Sequence, residues 1–215
     1  MIRLQRPSLS AAAQVRLDAR SKQLCELLAS GDEIPKNLLS YYRTATEIKP
    51  KLRDSTYTKC MYCESMIGHV YFGDVEHILP VHHFPNLRLS YDNLGYCCAV
   101  CNNNKLDYYD PAAGLVDPYS DDPSDHIGSR GPSLRALSDI GHATITILEL
   151  NRPELLLRRH DSFEQIDRLV IAYQGEADPN RKAILATQLR QEWRDSKEHS
   201  MVRKTHILSE TGIAP

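Results

Sequence analysis

Four of the six cysteines fall into two Cys-x-x-Cys pairs, a spacing that is typical of metal sites. The pairs are Cys60/Cys63 and Cys98/Cys101, with 34 residues between them. Each pair presents two thiolates from one tight turn, and two such turns complete the tetrahedral shell that zinc prefers. Four thiolates leave no position for water, so the predicted zinc is structural. Redox motifs or unrelated buried cysteines are the alternatives, and Cys97 is left out because Cys98 repeats the spacing.

The residues between and beside these pairs could hydrolyse a phosphodiester bond. Such hydrolysis needs an activated water, a cation on the scissile phosphate and help for the leaving oxygen. His77 is the predicted general base, because imidazole titrates near neutral pH. Glu76 and Asn102 offer oxygen ligands for a catalytic Mg²⁺, and Mn²⁺ would satisfy them too. Asn93 is predicted to orient His77, and Lys105 to neutralise substrate phosphate.

The elements that must position these residues are short and mixed in type. Apolar runs rich in β-formers at 70–72 and 75–79 predict a hairpin, and 94–97 predicts a second strand. A helix is expected to begin near Cys101. The fold class is therefore predicted to be α+β, a hairpin and helix stapled by zinc, with helical extensions on both sides.

The flanking regions carry their own helix and turn signals. Ser8 or Ser10 can cap a helix that runs to about residue 30, and a second helix is predicted over 38–47, ended by Pro50. Residues 110–132 are acidic and rich in turn formers, which predicts a long surface excursion.

The second half of the chain is predicted to be mainly helical after one strand. The alternating, β-branched run 143–150 predicts that strand. Asn151 opens a predicted capping box for a helix to about residue 173, and Asp178 opens another. The predicted regions are an N-terminal helical region (1–56), a central module (57–110), an acidic loop and strand (111–150) and a C-terminal helical region (151–215).

The charge distribution separates a basic N-terminal arm from an acidic centre. Residues 1–59 carry 11 basic and 6 acidic residues, whereas residues 106–150 carry 2 and 8. The net charge of −2 argues against a strong free-standing nucleic-acid binder, because phosphate neutralisation dominates such affinity. Charges that simply solvate helix faces explain the pattern equally well. No apolar run reaches the roughly 18 residues of a membrane span, and no apolar signal region is visible, so a cytoplasmic location is expected.

The combined pattern resembles the HNH endonuclease superfamily, which has a ββα-metal fold. The motifs that carry the resemblance are C-x-x-C, D-V-E-H-I-L-P, D-N-L and C-x-x-C-N-N-N-K. The resemblance implies that His77 is the base and that Asn93 positions the base loop. It implies that Glu76, in place of the commoner Asp, and Asn102 bind the catalytic metal. Because Glu is one methylene longer, Asp74 is the reserve ligand.

Further stretches at 115–127, 144–155 and 199–203 are similar to the PtuB-type HNH nucleases of Septu anti-phage systems and their retron-associated relatives. This resemblance implies a partner, an ABC/SMC-like ATPase subunit (PtuA-type), that would engage or control DNA. The expected function is a metal-dependent endonuclease in phage defence, with double-stranded DNA, single-stranded DNA and RNA all open as targets. The alternative is a zinc-dependent binding or assembly module whose nuclease residues no longer act.

Overall fold

The computed structural model describes residues 1–68 and 72–214. Within these ranges, helices surround two small antiparallel sheets, which confirms the predicted α+β class. The helices are α1 (Ala11–Ser30), α2 (Lys36–Leu39), α3 (Tyr41–Thr44), α4 (Ile48–Ser55), α5 (Ala99–Lys105), α6 (Pro123–His126), α7 (Asp139–Ile147), α8 (Pro153–Gly175), α9 (Pro179–Glu192) and α10 (Ser200–Thr211). The strands are β1 (Asp74–His77), β2 (Leu94–Cys97), β3 (Ile127–Arg130) and β4 (Ser133–Ala136).

The centre of the molecule is the antiparallel pair β1–β2 followed directly by α5. Glu76 lies opposite Gly95 and His77 opposite Leu94 in this pair. All residues of β2 are buried, while α4 packs on both strands and α5 packs on β1. The predicted strand at 94–97 and the helix after it are confirmed. Residues 70 and 71 of the predicted hairpin lie outside the described residues. The strand that pairs with β1 in the structure is β2.

The N-terminal helices support this centre from one side. Helix α1 begins after Ser10, whose hydroxyl accepts a backbone hydrogen bond from the first turn, and it ends at Gly31 with φ of 74°. The predicted helix over 38–47 is wrong in extent, because the chain instead forms the short helices α2 and α3. Pro50 does not end a helix but lies in the first turn of α4, where its missing N–H needs no intrahelical partner.

The strand predicted at 143–150 is wrong, because this segment contains most of α7. The Ser138 hydroxyl caps α7, and the hydroxyl of Thr144 donates to the carbonyl of residue 140 within the helix. Gly141 packs directly on His126, where a Cβ atom would overlap the His126 carbonyl oxygen. A helix cap and a close backbone approach therefore outweigh the weak β preference of the branched residues.

The acidic segment is packed more closely than the predicted surface excursion. Val116 is buried, and its N–H donates to the Thr144 hydroxyl at 2.8 Å. The carbonyl of Pro118 accepts a hydrogen bond from the N–H of Leu4 at 2.7 Å. The chain then forms α6 and the β3–β4 hairpin. Turn-rich composition predicted the loops correctly but not that they would anchor on the core.

The C-terminal helices α8, α9 and α10 pack together around a small core of their own. Asp178 caps helix α9 and opens it, as predicted. The predicted Asn151 cap of α8 is wrong, because the Asn151 side chain instead bonds both the N–H and the carbonyl of Leu134 in β4. The buried members of this second core are Ile166, Val170, Leu189, Ile207 and Ile213.

One larger core joins all four predicted regions of the chain, with Leu17, Leu94, Leu134 and Leu155 among its buried members. The boundaries of those regions stay a prediction. Among the helices of the described ranges, none combines the length and the apolar character that crossing a bilayer would require.

Candidate active site and metal centre

The four predicted zinc cysteines form one compact cluster. The Sγ atoms of Cys60, Cys63, Cys98 and Cys101 all lie within 4.8 Å of one another. The Sγ atoms of Cys63 and Cys98 are 3.9 Å apart, close to the roughly 3.8 Å that a tetrahedron with Zn–S bonds of about 2.3 Å requires. Cys98 also caps α5, since its sulfur accepts the N–H of Cys101 at 3.5 Å. These cysteines are therefore placed to bind a metal such as zinc, and buried Cys97 is outside the cluster.

A guanidinium group stands beside the thiols. Arg152 Nη1 lies 4.0 Å from the Cys101 sulfur. Burial alone would lower the pKa of Arg152, but the neighbouring Cys101 and Cys63 raise it above its ordinary value. A permanent positive charge here offsets part of the negative charge that four thiolates bring to a divalent ion.

A buried ion network ties the first cysteine turn to the C-terminal region. Glu64 follows Cys63, and its carboxylate lies 3.2 Å from the ammonium of Lys59. The same ammonium donates to the carbonyl oxygens of Asp195 and Lys197 at 2.6 and 2.9 Å. Because Lys59 and Glu64 are both buried, losing Glu64 would leave the Lys59 ammonium without its carboxylate partner. The network thus fixes the turn that presents Cys60 and Cys63.

Two side-chain pairs connect β1 to α5. Asn102 donates to the carboxylate of Asp74 at 3.3 Å, and Lys105 forms an ion pair with Glu76 at 2.7 Å. Strand alternation puts the two carboxylates on one face of β1, and the spacing of three residues puts their partners on one face of α5. Burial raises the pKa of Glu76, Lys105 opposes this shift, and the charge of Asp74 adds to it. A face with two neighbouring carboxylates favours a bound cation.

Lys105 lies in the interior rather than on a substrate-facing surface. Its residue is 2% exposed, and its ammonium donates to the His77 carbonyl at 2.8 Å besides pairing with Glu76. A phosphate group would have to displace both partners to reach it. The positive charge of Lys105 therefore neutralises the carboxylate of Glu76, a residue that is 5% exposed.

His77 is held in one tautomer by the backbone. Its Nε2 atom lies 3.0 Å from the carbonyl oxygen of Arg88. A carbonyl only accepts hydrogen bonds, so Nε2 carries the proton and Nδ1 keeps its lone pair. Burial lowers the pKa of His77 to about 4, although the bond to Arg88 works in the opposite direction. The ring also packs edge-on against Tyr42, with centroids 4.6 Å apart. At neutral pH the imidazole is uncharged, and its free lone pair is on Nδ1.

Asn93 acts on the loop after His77 rather than on the imidazole. Its side-chain oxygen accepts the N–H of Leu79 at 2.7 Å, and its amide donates to the carbonyls of Leu79 and Leu87 at 3.0 and 3.4 Å. This loop leads to Arg88, whose carbonyl holds His77. Asn93 is thus placed to position the candidate base, His77, indirectly.

Replacing Asn93 with alanine is expected to loosen this loop. Leu79 would lose the partners of its N–H and carbonyl, which predicts a free energy of unfolding lower by about 2 kcal/mol. Amide hydrogen exchange at Leu79 should also accelerate. The matched control is Asn103→Ala, because Asn103 is exposed on α5, and its unfolding free energy should change by less than about 0.5 kcal/mol. Unchanged exchange at Leu79 in the Asn93 variant would contradict this role.

An open polar cavity of about 320 Å³ lies beside the Asp74–Asn102 pair. Its lining residues are Arg43, Lys49, Asp74, Val75 and Asn102. The two basic residues come from α3 and α4. The sequence alone indicated only that they belong to the basic N-terminal region. The exposed loop residues His82 and His83 do not line it. Of the predicted ligands, Asn102 reaches this cavity together with the reserve ligand Asp74, while Glu76 stays buried behind them.

Comparison with known proteins agrees with this geometry. Residues 60–107 match the family model described as HNH endonuclease, so the predicted HNH domain is confirmed. The chain is 29% identical over 158 residues to the Septu protein PtuB of Bacillus thuringiensis, which confirms the predicted similarity to PtuB-type proteins. The aligned part covers 73% of this chain and 57% of that relative.

Proposed function

We propose that this protein is a metal-dependent endonuclease that hydrolyses phosphodiester bonds of DNA. The observation that carries the proposal is the state of His77 within the segment that matches the HNH model. The imidazole is uncharged, and its proton is held on Nε2 by the Arg88 carbonyl. A histidine in this state can take a proton from water at Nδ1, which is what a general base must do.

The donor atoms on β1 and α5 suit a hard divalent cation. The carboxylates of Asp74 and Glu76 share one face of β1, opposite the amide of Asn102. Oxygen donors of this kind favour Mg²⁺ or Mn²⁺ over softer metals. Either ion, when bound, would polarise the scissile phosphate and stabilise the leaving oxygen. We assign the ion to Asn102 and Asp74, which line the cavity, with Glu76 as the additional ligand.

The remaining site residues have supporting roles in this proposal. Asn93 holds the loop that carries the Arg88 carbonyl, and through it the orientation of His77. Lys105 compensates the buried charge of Glu76, and we therefore move its role from direct phosphate binding to support of the ligand set. Structural zinc at Cys60, Cys63, Cys98 and Cys101 would join both ends of the ββα unit.

The similarity to the Septu protein PtuB supports a biological role for this activity. We propose that the protein acts in a Septu-like anti-phage defence in the cytoplasm, together with an ABC/SMC-like ATPase subunit of the PtuA type. A net charge of −2 fits a nuclease that obtains part of its affinity for DNA from such a partner.

The test is a plasmid-nicking assay with Mg²⁺ or Mn²⁺, with and without the ATPase encoded beside this protein. Conversion of supercoiled plasmid to nicked or linear forms is expected, and EDTA should prevent it. A requirement for the ATPase would support the Septu-like setting. If plasmid, single-stranded DNA and RNA all stay intact under every condition, the proposed activity is wrong.

A zinc-dependent binding or assembly module without catalysis is the second candidate. The observation that favours it is the buried ion pair between Glu76 and Lys105, which already neutralises one proposed ligand. A triple variant with alanine at Glu76, His77 and Asn102 separates the two functions. The binding module keeps its protection against phage in this variant while zinc content is unchanged, whereas the nuclease loses it.

A further inference from the structure

We infer that Arg43 and Lys49 bind the phosphodiester backbone of a nucleic acid in the cavity beside Asp74 and Asn102. This inference rests on the proposed function and names the substrate contact of the same site. Both cations lie outside residues 60–107, the segment that matches the HNH model. The N-terminal helical region would therefore contribute directly to substrate binding.

The cavity has the size and polarity of a phosphate site. Its volume of about 320 Å³ lies at the low end of small-ligand pockets, and Val75 is the apolar member of its lining. Arg43 and Lys49 approach from α3 and α4, across from Asp74 and Asn102. Such a cavity suits one phosphate of a longer chain that runs over the surface. Guanidinium and ammonium groups are the usual partners of phosphate oxygens.

Arg43 and Lys49 line this cavity, whereas two other basic side chains of the N-terminal region are engaged away from it. Arg6 donates to the carbonyl oxygens of Tyr91 and Leu94, and Arg53 pairs with Asp54. The guanidinium of Arg43 lies 5.3 Å from the centre of the Tyr42 ring.

The same segment also reaches the proposed base. Tyr42 precedes Arg43 in α3, and its buried ring packs on the imidazole of His77. The charge of Arg43 also acts on His77, so a phosphate held by Arg43 would lie within electrostatic range of the proposed base. This proximity distinguishes a substrate-binding cation from a merely solvated one.

The experiment measures nucleic-acid binding in a His77→Ala background, so that no substrate is cut. The variants are Arg43→Gln and Lys49→Gln, and the matched controls on α4 are Arg53→Gln and Lys51→Gln, which remove the same charges away from this cavity. Fluorescence anisotropy with short single-stranded DNA, duplex DNA and single-stranded RNA gives Kd over a salt series. Each cavity variant should weaken duplex binding about fivefold to tenfold, and the slope of log K against log salt should fall by about 0.9.

The outcomes separate the inference from the proposed function. If wild-type protein cuts DNA but the cavity variants bind nucleic acid like their controls, the inference is wrong and the nuclease stands. If the cavity variants lose affinity and salt dependence but wild-type protein never cuts, the phosphate site stands and the nuclease is wrong. Absence of wild-type binding to all three probes at low salt overturns the inference. A preference for RNA over DNA would keep the phosphate site and change the substrate.

Discussion

Replacing His77 with alanine is expected to lower the rate of DNA cleavage by a factor of about 10² to 10⁴, the usual contribution of a positioned general base. Metal content and overall fold should be unchanged. The imidazole packs against Tyr42, bonds the Arg88 carbonyl and takes no part in the cysteine cluster. The effect should therefore appear in turnover rather than in the amount of soluble protein.

The physical reason is the fixed tautomer of His77. The Arg88 carbonyl, 3.0 Å away, requires the proton on Nε2, so the lone pair stays on Nδ1. Burial lowers the pKa to about 4, so the neutral form predominates throughout the neutral pH range. No other side chain of β1 offers a base of this kind.

The measurement compares initial rates of plasmid nicking for wild type, His77→Ala and His83→Ala at equal metal concentration. His83 is the matched control, because it is an exposed histidine in the following loop. Its variant should cut within about twofold of wild type, as is usual for surface substitutions. Equal rates for wild type and His77→Ala would show that another residue, or none, activates water.

Replacing Cys60 with serine is expected to unfold the central module. Structural zinc in small domains contributes on the order of 10 kcal/mol to folding, which approaches the whole stability of a typical domain. Cys60 is buried together with Cys63 and Cys101, so its loss would leave three thiols around an incomplete metal shell. Aggregation or a broad, non-cooperative unfolding transition should result, and Mg²⁺ should not restore the fold.

Zinc analysis and thermal unfolding test this expectation. Wild-type protein should carry one zinc ion per chain, and Cys60→Ser should carry less than one. Cys25→Ser is the matched control, because Cys25 is exposed on α1 and lies outside the cluster. A Cys60→Ser protein that is soluble, free of zinc and active would refute a structural role for the metal.

The cysteine cluster and the candidate base could be predicted from sequence because their chemistry depends on close spacing along the chain. Two Cys-x-x-Cys turns hold paired thiolates wherever they fold, and the tertiary structure only had to bring Cys60 and Cys63 to Cys98 and Cys101. Strand alternation likewise puts Asp74 and Glu76 on one face of β1 without any long-range contact.

The roles of individual side chains depended on partners that are distant in sequence. Whether Lys105 faces solvent or Glu76 is decided by how α5 packs on β1. Whether residues 143–150 form a strand or a helix is decided by the contact of Gly141 with His126. Local β preference is worth a few tenths of a kcal/mol per residue, so a single close packing contact can reverse it.

The sequence by itself therefore determined the metal centre, the candidate base and the order of the ββα elements. The tertiary structure alone decided which proton His77 carries, which acidic partner Lys105 takes, and that Arg43 and Lys49 share a cavity with Asp74 and Asn102. The physical reason is the distance along the chain between the residues that determine each feature. Short-range spacing sets the type of a site, whereas desolvation, ion pairing and access depend on chain segments that meet only in the folded molecule.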